Sequence, residues 1–180
     1  MVASEALAAQ LSEELDRHRY PTDGLDPARR REISRMKARI ESERLPRGAD
    51  PSRHVKLGRG GMTDVEWTAQ VLALEHAGEN EQLRRTDTLG VLRAASETGL
   101  LSDREVRELA DAWMLAWQVR RGLFLWKGRE GAVLPSDRIE LRALAHLIDG
   151  DAGSASELEE RYLRQTRRAR HIVERVVFGI

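Results

Sequence analysis

The sequence predicts an all-α protein, an antiparallel bundle of six to seven helices with a glycine-rich loop between the second and third. Apolar residues recur at intervals of three to four, whereas alternating β-branched runs are almost absent. Helix starts such as Asp26-Pro27 and Ser102, and stops such as Gly99, divide this pattern into segments. At 180 residues the chain is long enough for one domain with a sizeable core.

Two charged helices are predicted at the start of the chain. The first spans 4–18 and ends at the Pro21 turn. Its narrow apolar stripe consists of Leu7, Leu11 and Leu15. Asp26 caps the second helix, which has Pro27 in its first turn and ends before Gly48. Its predicted buried stripe consists of Ile33, Met36 and Ile40.

The third and fourth helices follow the glycine-rich loop. The third begins at about Asp64 and ends at Gly78. Its buried residues are predicted to be Val65, Val71, Leu72 and Leu74. The fourth spans 86–98 and ends at Gly99. Its buried side consists of Leu89, Leu92 and Ala95.

The central helix is predicted to begin at Ser102, where Ser102 and Glu105 form a capping box. Its core residues are predicted to be Val106, Leu109, Trp113, Trp117 and Phe124. A short helix over 137–148 buries Leu141, Leu144 and Ile148. A last helix from about Ser156 buries Leu158, Tyr162, Ile172, Val173 and Val176. In this last helix the basic run RQTRRAR follows the acidic run SELEER, so its exposed face is predicted to be charge-balanced.

Composition excludes several classes of protein. Thirty Lys and Arg balance 30 Asp and Glu, which argues against the basic surface of a general nucleic-acid binder. There is no cysteine, so disulfides and thiolate metal sites are excluded. No apolar run reaches the roughly 20 residues that a membrane span needs. These observations favour a cytoplasmic protein without a membrane or nucleic-acid partner.

The stretch HVKLGRGGMTDVEW, residues 54–67, is the one candidate for a functional loop. Gly58, Gly60 and Gly61 permit a close approach of backbone or ligand, and Thr63 and Glu66 are spaced as a capping box at a helix start. Free N–H groups at a helix start attract anions, and three side chains could assist: His54, Lys56 and Arg59. The alternative is a tight turn in which Asp64 and Glu66 only favour the helix N-terminus. The spacing matches neither a P-loop nor a dinucleotide fingerprint.

No metal site is predicted within this chain. Three histidines lie on separate helices without a second ligand four residues away: His76, His146 and His171. Asp149 and Asp151 form a pair at the end of a helix, with no strand to hold both carboxylates, and are interpreted as a turn.

The segment RMKARIESERLPRGADPSRHVKLGRGGMTDVEWTAQVLALEHA resembles the start of the helical domain of bifunctional glutamine synthetase adenylyltransferases. The resemblance rests on the charged helix, on the run from Lys56 to Glu66, and on Gln70 in the next helix. TDTLGVLRAASETGLLS also resembles the following family segment, and the likeness extends from about Arg30 to the end. Residues 1–25 are interpreted as an N-terminal helix and linker, and 26–180 as the helical domain that follows a nucleotidyltransferase domain.

The resemblance implies what such a domain does in a larger protein. The catalytic domain of the family carries a Gly-Ser step and an Asp-x-Asp pair that hold magnesium and ATP. Here the only Gly-Ser, Gly153-Ser154, has no such pair after it. This chain would therefore be inactive alone, with no catalytic residue, metal or cofactor, and would be the C-terminal domain behind the adenylylating half. Implied partners are the preceding nucleotidyltransferase domain, glutamine synthetase and the PII signalling protein.

The resemblance also implies a role for the loop. Its residues would contact nucleotide phosphates or lie in the seam with the catalytic domain. The candidate contact residues are Lys56, Gly58, Arg59, Gly60, Gly61, Asp64 and Glu66. Two alternatives stay open: a helical protein-interaction module with the loop as a hinge, and the related helical domain of the PII uridylyltransferase.

Overall fold

A computed structural model of the protein describes the backbone of residues 2–180 and the side chains of residues 4–180. Within this range the chain forms seven α-helices, with one isolated antiparallel bridge between His54 and Val133 in place of any strand. The all-α prediction is confirmed. The helices are α1 (Val2–Arg19), α2 (Pro27–Arg44), α3 (Met62–His76), α4 (Thr88–Glu97), α5 (Asp103–Lys127), α6 (Arg138–Asp149) and α7 (Ala155–Val173). Short 3-10 turns lie at Glu81–Leu83 and Gly150–Ala152, and a π-helical turn at Glu174–Phe178 extends α7.

Local side-chain chemistry accounts for most helix starts. Backbone N–H groups of the first turn donate to N-cap side chains of five helices: Asp26, Asp87, Ser102, Asp137 and Ser154. The capping box of Ser102 and Glu105 is present as predicted. The start of α3 differs, because its N-cap is Gly61 and no side chain caps it. The predicted capping box of Thr63 and Glu66 is therefore wrong.

Two hydrophobic clusters share the long helix α5. The first lies among α3, α4, the first half of α5 and the end of α7, and includes Leu109. The second lies among the second half of α5, α6 and the first half of α7, and includes Leu123. The loop between α2 and α3 lies where the clusters meet, since Val55 and Met62 belong to the second and Val65 to the first.

Several apolar residues predicted to be buried lie on the surface. Met36 is 41% exposed, whereas the adjacent Lys37 is 1% exposed. Trp117 and Phe124 on α5 are 41% and 53% exposed, so their predicted core role is wrong. The narrow leucine stripe of α1, which is not assigned to the core, is exposed as well. Periodicity located these helices, but it did not show which faces the bundle covers.

Candidate functional site

The N–H groups of the glycine-rich segment 58–63 are satisfied by the domain itself. The N–H groups of residues 58–63 all donate to acceptors between Pro51 and Asp64. Gly58 and Arg59 donate to the carbonyls of His54 (2.7 Å) and Pro51 (3.1 Å). Gly60 donates to the carboxylate of Asp64 (2.7 Å). Gly61, Met62 and Thr63 donate to the carbonyls of Gly58, Val55 and Lys56, each at 3.0 Å. The expectation of free amides that meet an anion is therefore corrected: these donors are already used.

Two glycines make this compact loop possible. Gly60 has φ +69°, and a Cβ atom there would clash with the backbone carbonyl of Thr166 on α7. A Cβ atom at Gly58 would clash with the carbonyl oxygens of His54 and Pro51. Only glycine allows both approaches, so the loop lies directly against α7.

Asp64 lies at the centre of a buried ion cluster. Its carboxylate is 0% exposed and contacts the ammonium of Lys37, which α2 supplies. The other carboxylate oxygen accepts from the Gly60 N–H at 2.7 Å and from Arg170 Nη1 on α7 at 3.0 Å. Asp64 thus joins α2, α3, α7 and the loop through charge-assisted hydrogen bonds.

Two further carboxylates complete this ion cluster. Glu41 contacts Lys37 at 3.0 Å and Arg170 at 2.9 Å, and Glu174 contacts Arg170 at 2.9 Å. Burial raises the pKa of Glu41, but the hydrogen bonds from Arg170 and Lys37 outweigh it and hold that pKa below its usual value. The pKa of Arg170 is raised because its carboxylate partners outweigh the effect of burial. Glu41 and Arg170 therefore stabilise each other's charged form, and the cluster connects α2, α3 and α7.

The predicted loop residues divide into a buried and an exposed group. Gly58, Gly60, Gly61 and Asp64 are buried, whereas Lys56 and Arg59 are exposed. His54 is also buried, at 4% exposure, and its Nδ1 accepts from the Leu57 N–H at 3.0 Å. Burial lowers the pKa of His54. The expectation that His54 adds a titratable contact to an anion is therefore wrong.

Glu66 lies in the first turns of α3 and faces a cavity of about 390 Å³ between α3 and the start of α4. Its Oε1 accepts from the indole N–H of Trp113 at 3.3 Å. Gln70, one turn further along α3, lines the same cavity, as does the segment 85–88. The floor is apolar and consists of Ala69, Ala73, Leu74 and Val91. Two segments that carry the family resemblance therefore meet at one concave surface.

Sequence reasoning missed two residues of this cavity, Tyr20 and Arg85. Tyr20 follows α1, is 8% exposed, and donates its hydroxyl to the Arg85 carbonyl oxygen at 3.3 Å. Among the described side chains no carboxylate lies within 4.0 Å of the Arg85 guanidinium. In the sequence, the only local indication was an aromatic residue, Tyr20, within a predicted linker. It could not reveal that Tyr20 contacts Arg85, which lies 65 positions further along the chain.

An apolar stripe on α5 begins beside the loop. Its exposed members are Met114 (41%), Trp117 (41%), Phe124 (53%) and Leu125 (62%). The Arg121 guanidinium lies over the Trp117 ring at 5.4 Å from its centroid. Arg120 Nη1, between Trp117 and Phe124 in sequence, lies 3.9 Å from the sulfur of Met62, the first residue of α3, so this part of α5 contacts the exit of the loop.

Among the described side chains, no group of three or more His, Asp or Glu is placed to hold a metal ion. In the same part of the chain, every helix is too short or too polar to cross a membrane.

Comparison with known proteins gave matches along almost the whole chain. A family model described as GlnD PII-uridylyltransferase matches residues 34–177. Three similar proteins carry the name bifunctional glutamine synthetase adenylyltransferase/adenylyl-removing enzyme. The protein of Cutibacterium acnes is 42% identical over 96% of this chain, that of Streptomyces avermitilis 44% over 99%, and that of Nocardia farcinica 45% over 99%. The chain spans only 18% of the length of each of these relatives.

Proposed function

The chain belongs to the GlnD PII-uridylyltransferase family, and we propose that it serves as the C-terminal helical domain of an enzyme that adenylylates and deadenylylates glutamine synthetase. The observation that carries this proposal is the 42–45% identity to three enzymes of that name over nearly the whole chain. A domain of 18% of their length, without catalytic carboxylates, would support chemistry performed elsewhere in the protein.

The parent reaction would transfer AMP from ATP to a tyrosine of glutamine synthetase. A preceding nucleotidyltransferase domain would bind ATP and magnesium, which neutralises phosphate charge during in-line attack. The partners of this domain would be the nucleotidyltransferase domain, glutamine synthetase and the PII protein, in the cytoplasm. The helical domain would position these components and would be inactive alone.

The surface beside the loop is the best candidate for the seam with the catalytic domain. Lys56 and Arg59 extend into solvent from a loop in which the N–H groups of residues 58–63 are all bonded and whose position is held by the buried ion cluster. A backbone that is already rigid lowers the entropy cost of phosphate binding, because only the side chains of these cations must be ordered. Arg59 also lines a concavity of about 240 Å³ together with Leu45, Pro51 and Leu57. The glycines and Asp64 would then act as supports.

This seam can be tested in the full-length enzyme. Arg59→Ala should raise the KM for ATP by about 10- to 150-fold, since one charge-assisted contact contributes about 1.5–3 kcal/mol. Arg47→Ala is a matched control, because Arg47 is an exposed cation earlier in the same connection. If Arg59→Ala and Lys56→Ala both leave adenylylation kinetics unchanged, the loop has no part in nucleotide binding.

A second candidate function follows from the family description, which refers to uridylyltransferases of PII. The enzyme that contains this domain should be assayed with ATP and glutamine synthetase, and in parallel with UTP and PII. Transfer of UMP to PII without transfer of AMP would replace the first proposal. If neither transfer occurs, titration of the isolated chain with ATP, PII and glutamine synthetase tests the remaining candidate, a protein-interaction module.

A further inference from the structure

The outer face of α6 carries two parallel stripes of different chemistry. Ile139, Ala143 and Leu147 recur every four residues, and Ile139 is 77% and Leu147 46% exposed. One position earlier, Arg138, Arg142 and His146 recur at the same interval and are also exposed. Each stripe is about 12 Å long, since eight residues separate its ends.

The outer apolar stripe does not contribute to the core of the domain. The inner face of α6 already packs into the second cluster through Leu141, Leu144 and Ala145. Beside the outer face lie Trp126 from the last turn of α5, 52% exposed, and the segment 151–156. Together they form an open groove of about 1040 Å³, called the α6 groove here. Clustered exposed large apolar side chains in a concavity are typical of interaction surfaces.

The charges of the α6 groove determine the partner's charge. Arg142 has no carboxylate within 4.0 Å among the described side chains. Arg138 contacts Glu159 at 3.4 Å, a carboxylate that it shares with Arg53, and His146 contacts Asp151 at 3.7 Å. Along this edge Glu159 faces Arg138 and Asp151 faces His146, so among the described side chains Arg142 carries the positive charge that no carboxylate offsets. A partner that covers the stripe and brings a carboxylate opposite Arg142 would complement this charge.

We propose that the α6 groove binds an amphipathic helix of a partner protein, with an apolar stripe flanked by Asp or Glu. A helix fits because both stripes follow the axis of α6, and because the described part of the chain offers no strand edge for an extended peptide. Ile139, Leu147 and Trp126 contact its apolar residues, and Arg142 pairs with its carboxylates. This inference is independent of the seam beside the glycine loop.

The experiment uses a designed helical peptide that carries three leucines four positions apart and glutamates on both flanks. Binding to this protein is measured by fluorescence anisotropy, with a lysine-flanked peptide in parallel. We expect saturable binding of the glutamate peptide, and at least about tenfold weaker binding of the lysine peptide. Ile139→Ser and Arg142→Glu should each weaken binding by about tenfold, whereas two control variants, Leu11→Ser on α1 and Arg167→Glu on α7, should change it less than twofold.

Three outcomes would overturn the proposal. The first is that the glutamate peptide fails to bind at concentrations up to about 1 mM. The second is that the lysine peptide binds as tightly as the glutamate peptide, or that Ile139→Ser has no effect, because the contact would then be unspecific. The third is that sedimentation shows self-association of the chain that Ile139→Ser abolishes, because the occupant would then be a second copy of the chain. Because Ile139 and Arg142 are exposed, circular dichroism melts of both variants should match the wild type.

Discussion

Removal of the Asp64 carboxylate is the most direct test of the buried ion cluster. Asp64→Asn keeps the side-chain shape but removes the charge that faces Lys37, Arg170 and the Gly60 N–H. Removal of one partner from a buried ion pair costs about 3–5 kcal/mol, because the other charge stays buried. Glu41 remains 3.0 Å from Lys37 and 2.9 Å from Arg170, so the cost should lie near the lower end, about 3 kcal/mol.

The assay is urea unfolding followed by helical circular dichroism, together with calorimetry. For a domain of this size, about 3 kcal/mol corresponds to a decrease in Tm of about 6–12 °C. The matched control is Asp111→Asn, since Asp111 is an exposed acid on α5, and its effect should stay within about 0.5 kcal/mol. Combination of Asp64→Asn with Lys37→Met should cost at least about 0.5 kcal/mol less than the sum of the single changes.

A loss below about 1 kcal/mol for Asp64→Asn would refute the reasoning. Strict additivity with Lys37→Met would do the same, because it would mean that the two side chains do not interact. The loop would then be held by its backbone bonds alone.

Three further predictions concern the loop and its surroundings. Gly60→Ala should lower the free energy of unfolding of the protein by at least about 3 kcal/mol, because the positive φ and the clash with Thr166 act together. Gly48 also has a positive φ, of +78°, but has open space around it, so Gly48→Ala should cost only about 1–2 kcal/mol in the same urea assay. Because burial lowers the pKa of His54, the folded state favours the neutral imidazole, and the contribution of His54 to stability is complete above its unfolded pKa of 6.5 and declines as the pH falls below 6.5. A pH series of urea midpoints should show this decline, and His54→Gln should flatten the pH dependence. Because the folded pKa of Glu41 is lowered, the contribution of Glu41 to stability is complete above its unfolded pKa of 4.5 and is lost as the pH falls through the lower folded pKa. The difference in unfolding free energy between wild type and Glu41→Gln should therefore narrow in acid, and a constant difference would contradict the pKa assignment.

Most of the fold follows from local chemistry that is visible in the sequence. Predicted helix boundaries agree with the structure to within about two residues, because caps such as Asp26 and Ser102 and stops such as Gly99 act on neighbouring backbone groups. The apolar interval of three to four was sufficient to predict an all-α domain. The family likeness also depended only on the order of residues, and the comparisons confirm it.

The role of each loop residue depends on contacts between distant positions. Asp64 looks like an exposed helix-start acid in sequence, and it is buried because Lys37 and Arg170 converge on it from positions 27 and 106 residues away. Trp117 and Phe124 share the spacing of core residues, yet they lie outside because α5 is already covered on its other side by α6 and α7. Hydrogen bonds in a helix are local, so sequence predicts them well, whereas burial and charge pairing depend on which helices meet and are decided only when the bundle is assembled.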